Sequence, residues 1–138
     1  MNYWLVKSDP ETYSWDDMKN ENTTIWTGVR NYQARNNLKA MKKGDLVLFY
    51  HSQSDKSIVG ITKVVKEYYP DPTSDDNKNW VAVDLQYYSD LIKPISLDEI
   101  KNNPKLSNIA LIKQSRLSVM PLTKEEYEEI TKNNNKIN

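Results

Sequence analysis

The sequence contains no cysteine, one histidine and three glycines. Without cysteine the chain can form no disulfide framework, no thiolate zinc site and no cysteine nucleophile. One histidine is too few for a histidine-rich metal cage, and the glycine-rich phosphate loops of Rossmann and P-loop proteins are absent. We therefore expect no metal site and no cofactor.

Long apolar runs and an excess of one charge are also missing. No stretch of about 18 apolar residues occurs, and Lys7 and Asp9 come too early for the apolar core of a signal peptide. The 19 basic and 19 acidic residues give a net charge of +0, which argues against a polybasic protein that coats nucleic acid. We expect a soluble, cytoplasmic protein without membrane contact. The sequence does not determine its oligomeric state, and a monomer is the expectation.

The length and the residue pattern favour a single domain. We place this domain at residues 1–132, followed by a frayed polar tail at 133–138. Strands are predicted at 3–7, 45–50, 58–69, 80–88 and 116–120, and the uninterrupted apolar run at 45–50 is typical of a central strand. Gly60 is a candidate bulge or point of close approach within its strand.

Helix signals lie between these strands. A short helix is predicted after a cap at Ser14, a second one runs from the turn at Trp26 to Gly44, and capping boxes start two more at Ser96 and Thr123. A helical turn is predicted within 106–112. The strands are too close together for repeated βαβ crossovers, which disfavours a Rossmann fold. The pattern predicts an α+β domain with a strongly bent mixed sheet or open β-barrel.

One segment carries most of the functional signal. It places an aromatic plane (Trp26), a glycine turn (Gly28) and two arginines just ahead of or at the start of a helix, which are parts of a pocket for a planar anionic ligand. No acidic residue occurs from Trp26 to Gly44, whereas five basic residues do: Arg30, Arg35, Lys39, Lys42 and Lys43.

Several separated motifs agree in order and spacing with those of one known family. They are Trp4-Leu5-Val6-Lys7-Ser8-Asp9-Pro10, the stretch from Trp26 to Asn36, Gly44-Asp45, Phe49-Tyr50-His51-Ser52, Gly60, Tyr69-Pro70-Asp71 and Arg116-Leu117-Ser118-Val119. Through them nearly the whole chain resembles the EVE domain family. Asp9 stands where that family has glutamate, and Gln53 where asparagine is common.

The resemblance implies a PUA-like fold, similar to YTH and ASCH domains, and a non-catalytic role in recognising a modified base in DNA or RNA. A base turned out of its stack needs an aromatic face, partners for its edge and cations near the flanking phosphates. Trp26 can supply the face. Gly28 would let the backbone approach the ligand, and the helix after it would add a positive dipole.

The site residues implied by the resemblance fall into two sets. Those expected to line an aromatic pocket with a basic rim are Lys7, Ser8, Trp26, Thr27, Gly28, Val29, Arg30, Asn31, Tyr50, His51, Ser52 and Arg116. Those expected to meet the nucleic-acid backbone are Arg30, Arg35, Lys39 and Lys42.

Several of these residues also have a structural interpretation. Trp26 could be a core anchor, and Arg30 could pair with a buried acid such as Asp45. The stripe of Arg35, Lys39 and Lys42 could be no more than a solvated helix face. Lys7 and Ser8 could form a local cap at a strand end.

Two other functions remain open. One is a small hydrolase or RNA-processing enzyme that uses His51 with Asp45 or Arg116. Against it, His51 and Ser52 are adjacent on an extended strand and point to opposite faces, so they do not readily form a nucleophile and its base. The other is a sensor of a free nucleoside or nucleotide that uses the same pocket.

Overall fold

The structure, a computed structural model, describes residues 1–76 and 78–133. Within them the strands are β1 (Tyr3–Ser8), β2 (Thr23–Trp26), β3 (Leu46–His51), β4 (Ser57–Pro70), β5 (Val81–Ser96) and β6 (Val119–Leu122). The α-helices are α1 (Trp15–Glu21), α2 (Tyr32–Ala40), α3 (Leu97–Lys101), α4 (Ala110–Lys113) and α5 (Lys124–Thr131). A 3₁₀ turn spans Pro104–Leu106. Of the tail predicted at 133–138, all but Asn133 lies outside the described residues.

The strands form one mixed, open sheet in the order β2-β5-β4-β3-β1-β6. Strand β1 runs parallel to β3 and antiparallel to β6, and the other pairs are antiparallel. Strand β3 lies inside the sheet, and its Val47, Leu48 and Phe49 are fully buried. The predicted central strand is therefore confirmed.

Bulges interrupt the two longest strands. The registers of β3 with β4 and of β4 with β5 shift near Gly60, and such shifts bend a strand and increase its twist. Gly60 is also a point of close approach, because a Cβ on it would lie 1.9 Å from Cζ2 of Trp15. Both roles predicted for this glycine are confirmed.

The capping boxes are confirmed as well, but one helix boundary is wrong. Helix α2 ends at Ala40 rather than at Gly44, because the buried Met41 already has an extended backbone. Asp45 accepts the backbone N–H of Lys42 at 3.0 Å and fixes the turn that follows. Gly44, with φ +96°, lies in that turn and not at the helix end.

Trp26 ends a strand, although the sequence predicts a turn there. It is the last residue of β2, a four-residue edge strand paired with β5. A strand so short shows too little alternation to be recognised. Strand β5 also continues to Ser96 and β6 begins only at Val119, so both boundaries differ from the predicted 80–88 and 116–120.

Candidate functional site

A cavity of about 540 Å³ opens where the ends of β1 and β2 meet the loop that leads into α2. Seven predicted pocket residues line it: Lys7, Ser8, Trp26, Thr27, Gly28, Val29 and Arg30. Seven others line it too: Asp9, Thr12, Tyr13, Glu21, Thr24, Ile25 and Ser118. The volume falls in the range of ordinary small-molecule sites.

Trp26 is both packed and accessible. Its ring lies nearly perpendicular to Phe49, at a centroid distance of 5.7 Å, and to Tyr13, at 6.1 Å. These contacts join it to the hydrophobic core, while the side chain stays partly exposed and lines the cavity. The core-anchor interpretation and the pocket interpretation therefore describe two sides of one residue.

The indole N–H group distinguishes Trp26 from the other tryptophans. Each of those donates its N–H to an aspartate, in the pairs Trp4 with Asp45 at 3.0 Å, Trp15 with Asp90 at 2.6 Å and Trp80 with Asp76 at 3.2 Å. Within residues 1–76 and 78–133, the N–H of Trp26 has no such partner, and no buried side-chain nitrogen is left unpaired. This N–H is consequently accessible to an acceptor on a ligand.

One wall of the cavity presents a carboxylate. Tyr13 donates its hydroxyl to Glu21, and burial followed by this hydrogen bond raises the pKa of Tyr13 to about 12. Tyr13 therefore keeps its proton at neutral pH. Ser8 holds the backbone at Tyr13 by donating its hydroxyl to the carbonyl of that residue. The carboxylate of Glu21 can accept a hydrogen bond from an amino group in the cavity.

The end of β1 adds an ammonium group to the cavity lining. Nζ of Lys7 donates to the carbonyl of Ser115 at 2.6 Å, and its backbone N–H donates to the carbonyl of Ser118 at 3.0 Å. Burial lowers the pKa of Lys7. The cavity lining thus includes two cations, Lys7 and Arg30, together with the acids Asp9 and Glu21, so its rim is mixed in charge rather than uniformly basic.

A buried carboxylate holds the lip of the cavity, by which we mean residues 27–30 between β2 and α2. The side chain of Asp71 is 0% exposed and accepts the backbone N–H of Gly28 at 2.9 Å and Nη1 of Arg30 at 3.0 Å. Burial alone would raise the pKa of Asp71, but hydrogen bonds from Thr73, Gly28 and Arg30 lower it to about 2. Arg30 does pair with a buried acid, but that acid is Asp71 and not Asp45.

Gly28 is required for its backbone conformation. Its φ is +82°, a region that residues with a Cβ rarely adopt, although a Cβ there would meet nothing within 4 Å. Its N–H is already bound by Asp71. The expected approach of that N–H to a ligand is therefore not what the geometry offers, and the glycine serves to shape the lip.

Five predicted pocket residues lie outside this cavity. Asn31 caps α2 by accepting the N–H of Ala34 at 2.9 Å, and it shares a separate polar cleft with Arg116. Neither this cap nor the first turn of α2 lines the cavity, so the helix N-terminus does not open into it. Tyr50 is buried in the core, and Ser52 donates its N–H to the carbonyl of Ser8 at 2.9 Å.

His51, the fifth, has partners on both ring nitrogens. Its Nε2 accepts the backbone N–H of Trp15 at 2.9 Å, and its Nδ1 lies 3.0 Å from the carboxylate of Asp55. The imidazole borders a different cleft, beside Trp15 and Asp90. This arrangement fixes the start of α1 against β3.

Of the basic residues assigned to the nucleic-acid backbone, only Arg30 lines the cavity. Arg35 donates to the carbonyl of Lys78 at 3.2 Å, and Nζ of Lys39 lies 5.6 Å from the ring centre of Tyr68. Lys39 and Lys42 are exposed. The stripe therefore lies on an outer surface beyond the lip.

Tyr13 and Glu21 line the cavity but were not predicted, because β2, whose residues line the cavity with them, was not predicted either. Ser118 and Asp71 were within reach, since both belong to motifs already singled out. In the motif Arg116-Leu117-Ser118-Val119, the resemblance assigns Arg116 to the pocket, whereas Ser118 is the residue that lines the cavity. In the motif Tyr69-Pro70-Asp71, no residue was predicted to belong to the site.

The described residues hold no cluster of three or more histidine, cysteine, aspartate or glutamate side chains suited to a metal ion. None of the helices in the described part of the chain has the length and apolarity needed to cross a membrane. The cytoplasmic location and the monomeric state stay predictions.

The family model of the EVE domain matches residues 2–133. The chain belongs to the EVE domain family. It is 40% identical to rat thymocyte nuclear protein 1, over 92% of this chain and 71% of that protein. A crystal structure of human THYN1 in complex with 5-methylcytosine-containing DNA superposes on this EVE domain with a TM-score of 0.89, at 36% identity and with 100% of both chains covered.

A more distant likeness places the fold in a wider group. The crystal structure of an ASCH protein from Zymomonas mobilis matches with a TM-score of 0.61 at 12% identity, over 95% of this chain and 94% of that one. At this identity the likeness concerns the fold alone. The prediction of an α+β, PUA-like domain with a mixed open sheet is confirmed.

Proposed function

We propose that this EVE domain is a non-catalytic module that binds DNA by holding one modified base, 5-methylcytosine or a close derivative, in the cavity beside Trp26. The observation that carries the proposal is the aromatic wall of the cavity, in which the indole N–H of Trp26 is unpaired among the described residues. Support comes from human THYN1, whose structure is a complex with 5-methylcytosine-containing DNA and whose crystallised chain is covered completely by the match.

The polar groups of the cavity suit a cytosine derivative. Cytosine presents an exocyclic amino group as a donor, and carboxylates are common acceptors for it. Glu21 supplies such an acceptor, while the indole N–H of Trp26 and the ammonium of Lys7 supply donors for the base carbonyl or a phosphate. Stacking of a base on an aromatic ring adds about 1–3 kcal/mol.

Different cations serve different tasks in this proposal. Both terminal nitrogens of Arg30 are occupied by Val29, Asp71 and Thr73, so its main task is to hold the lip. Arg35, Lys39 and Lys42 are free of acidic partners among the described residues and would meet the phosphates that flank the base.

A catalytic role for His51 has less support. Its Nε2 is an acceptor for a backbone amide, so it is not available as a general base without breaking that bond. Asp45 binds Trp4 and backbone amides, away from His51. Arg116 lies in the cleft of Asn31, so the three residues of the rival enzyme hypothesis occupy three separate places.

The test compares matched ligands by tryptophan fluorescence. Wild-type protein is titrated with a DNA oligonucleotide that contains one 5-methylcytosine, with the same DNA containing cytosine, with the matching RNA, and with free 5-methyldeoxycytidine. Burial of one methyl group is worth about 0.8 kcal/mol, so the methylated DNA should bind at least about fourfold more tightly than the unmodified DNA. Equal affinity for the two DNAs would contradict the proposal.

The other ligands separate the alternatives. Tighter binding of the RNA would move the function to RNA. Binding of the free nucleoside as tight as that of the DNA, with no salt dependence, would favour a nucleoside sensor, because affinity that comes from phosphates falls with salt.

A further inference from the structure

A second aromatic surface lies just beyond the lip of the cavity. Tyr32, the first residue of α2, is 55% exposed and stacks on Trp80, with ring centres 5.1 Å apart and planes inclined by 21°. The guanidinium carbon of Arg30, a cavity residue, lies 5.8 Å from the ring centre of Trp80. Tyr32 is therefore connected to the cavity through Trp80 and Arg30.

Among the described residues, one face of the exposed Tyr32 ring is open. The guanidinium carbon of Arg35 lies 5.1 Å from the centre of Tyr32 and 6.0 Å from that of Trp80. If Tyr32 were sandwiched between the other two groups, their separation would approach the sum of the two distances to Tyr32. The compact triangle instead places Arg35 on the Trp80 side of Tyr32, so no ring or cation among the described residues contacts the opposite face of Tyr32.

The surroundings of Tyr32 favour a polyanion. Arg35 and Lys39 follow it at helix spacings that keep the three residues on one side of α2. The acids that contact this cluster are engaged: Asp71 with Arg30, and Asp76 with the indole of Trp80. An open aromatic face bordered by cations is the combination that single-stranded nucleic-acid sites use.

We propose that Tyr32 is a stacking platform for the base of the nucleotide next to the modified one, on the same DNA strand. This inference rests on the proposed function and extends it from one base to two. With one base in the cavity and its neighbour on Tyr32, the strand would pass the phosphate between them over Arg30 and Arg35. The platform contributes affinity for an oligonucleotide and nothing for a free nucleoside.

The test is a cycle of protein and ligand changes. A short single-stranded DNA with one central 5-methylcytosine is used intact, and with an abasic site directly 5′ or 3′ of it. Tyr32→Ala should weaken binding of the intact strand by about tenfold, the loss typical of one stacked base. The wild type should bind one of the two abasic strands about tenfold more weakly than the intact strand. Tyr32→Ala should bind that abasic strand no more weakly than the wild type does.

Controls separate stacking from folding. Tyr32→Phe keeps the ring and should bind like the wild type. Tyr88, which is 53% exposed and lies beside Lys63 at 5.8 Å, is a matched tyrosine outside this cluster, and Tyr88→Ala should leave affinity unchanged. If Tyr32→Ala does not fold, the abasic strands with the wild type and Tyr32→Phe decide the question.

Two results would overturn the platform. One is a wild type that binds both abasic strands as tightly as the intact strand. The other is a set of losses that simply add when the variant and the abasic site are combined. Preference for 5-methylcytosine over cytosine is measured on the same strands, so failure of the platform and failure of the proposed function give different outcomes.

Discussion

Trp15 and Trp26 contact the same phenylalanine but differ in exposure and in the hydrogen bonding of the indole N–H. Their ring centres lie 5.0 Å and 5.7 Å from that of Phe49. Trp15 is 6% exposed and its N–H is held by Asp90, whereas Trp26 is partly exposed and its N–H is unpaired among the described residues. One ring completes the core, and the other forms the wall of a cavity.

The difference comes from what covers each ring. Gly60 of β4 lies directly against Trp15, where a Cβ would overlap the indole. Beside Trp26 the chain leaves β2 in a lip that Asp71 holds through Gly28 and Arg30. Gly60 packs against Trp15 and covers it, whereas the loop held by Asp71 leaves Trp26 accessible. Accessibility of an aromatic side chain is thus set by the segment opposite it, not by its own position in the sequence.

The largest expected effect contrasts the two rings directly. Trp15→Ala should lower the free energy of unfolding by about 3–5 kcal/mol, the usual cost of removing a buried aromatic ring. Trp26→Ala should cost less stability but remove the fluorescence change on ligand binding and about 1–3 kcal/mol of affinity. Urea unfolding and titration of both variants measure the two quantities. Equal losses of stability together with an unchanged affinity of Trp26→Ala would show that Trp26 acts only as a core residue.

Gly60→Ala tests the same comparison at the residue that packs against Trp15. The added methyl overlaps the indole of Trp15, so a loss of about 3 kcal/mol in the free energy of unfolding is expected. Gly28→Ala is the matched variant at the lip, where only the positive φ is strained, at about 1–2 kcal/mol. Thermal unfolding ranks the two, and a reversed order would refute the account of what covers each tryptophan.

The lip beside Trp26 should respond to acid through Asp71. Its pKa is lowered from 3.8 to about 2, so the stabilisation it provides is complete above about pH 4 and is lost as the pH falls through about 2. The shift corresponds to about 2 kcal/mol. Unfolding of the wild type and Asp71→Asn from about pH 5 downward should show a steeper fall for the wild type. Parallel curves would mean that Asp71 does not anchor the lip.

The smallest effect concerns the basic residues of α2 and of the turn after it. Replacing Arg35, Lys39 and Lys42 by glutamine should leave the affinity for a free modified nucleoside unchanged and weaken binding of the same base within single-stranded DNA. The slope of log affinity against log salt should shrink by up to about 0.7 for each phosphate that the variant no longer binds. A slope identical to that of the wild type would show that the stripe is solvated surface only.

The sequence predicts the sheet-forming core and half of the cavity lining. Uninterrupted apolar residues revealed β3, and local motifs revealed the capping boxes and the segment from Trp26 to Arg30. These features depend on neighbours along the chain. Tyr13 and Glu21 could not be placed in the cavity, since that requires knowing that β2 pairs with β5. The partner of Arg30 is likewise set by tertiary structure, 41 residues away.

Two residues within the motifs were predicted in the pocket but do not line the cavity. His51 and Tyr50 follow a strand that ends close to the cavity, yet strand geometry and the packing of α1 direct them elsewhere. A motif gives the position of a residue along the chain but not the direction of its side chain. Only the pairing of the strands supplies that direction.

The most direct test of the account follows the four indole N–H signals of ¹⁵N-labelled protein by NMR, each assigned by a tryptophan-to-phenylalanine variant. A DNA strand with a single 5-methylcytosine is added stepwise, and the unmodified strand serves as the control. The account predicts that the Trp26 signal shifts most with the modified strand, while that of Trp15 stays in place. A shift of Trp15 with Trp26 unmoved would contradict it.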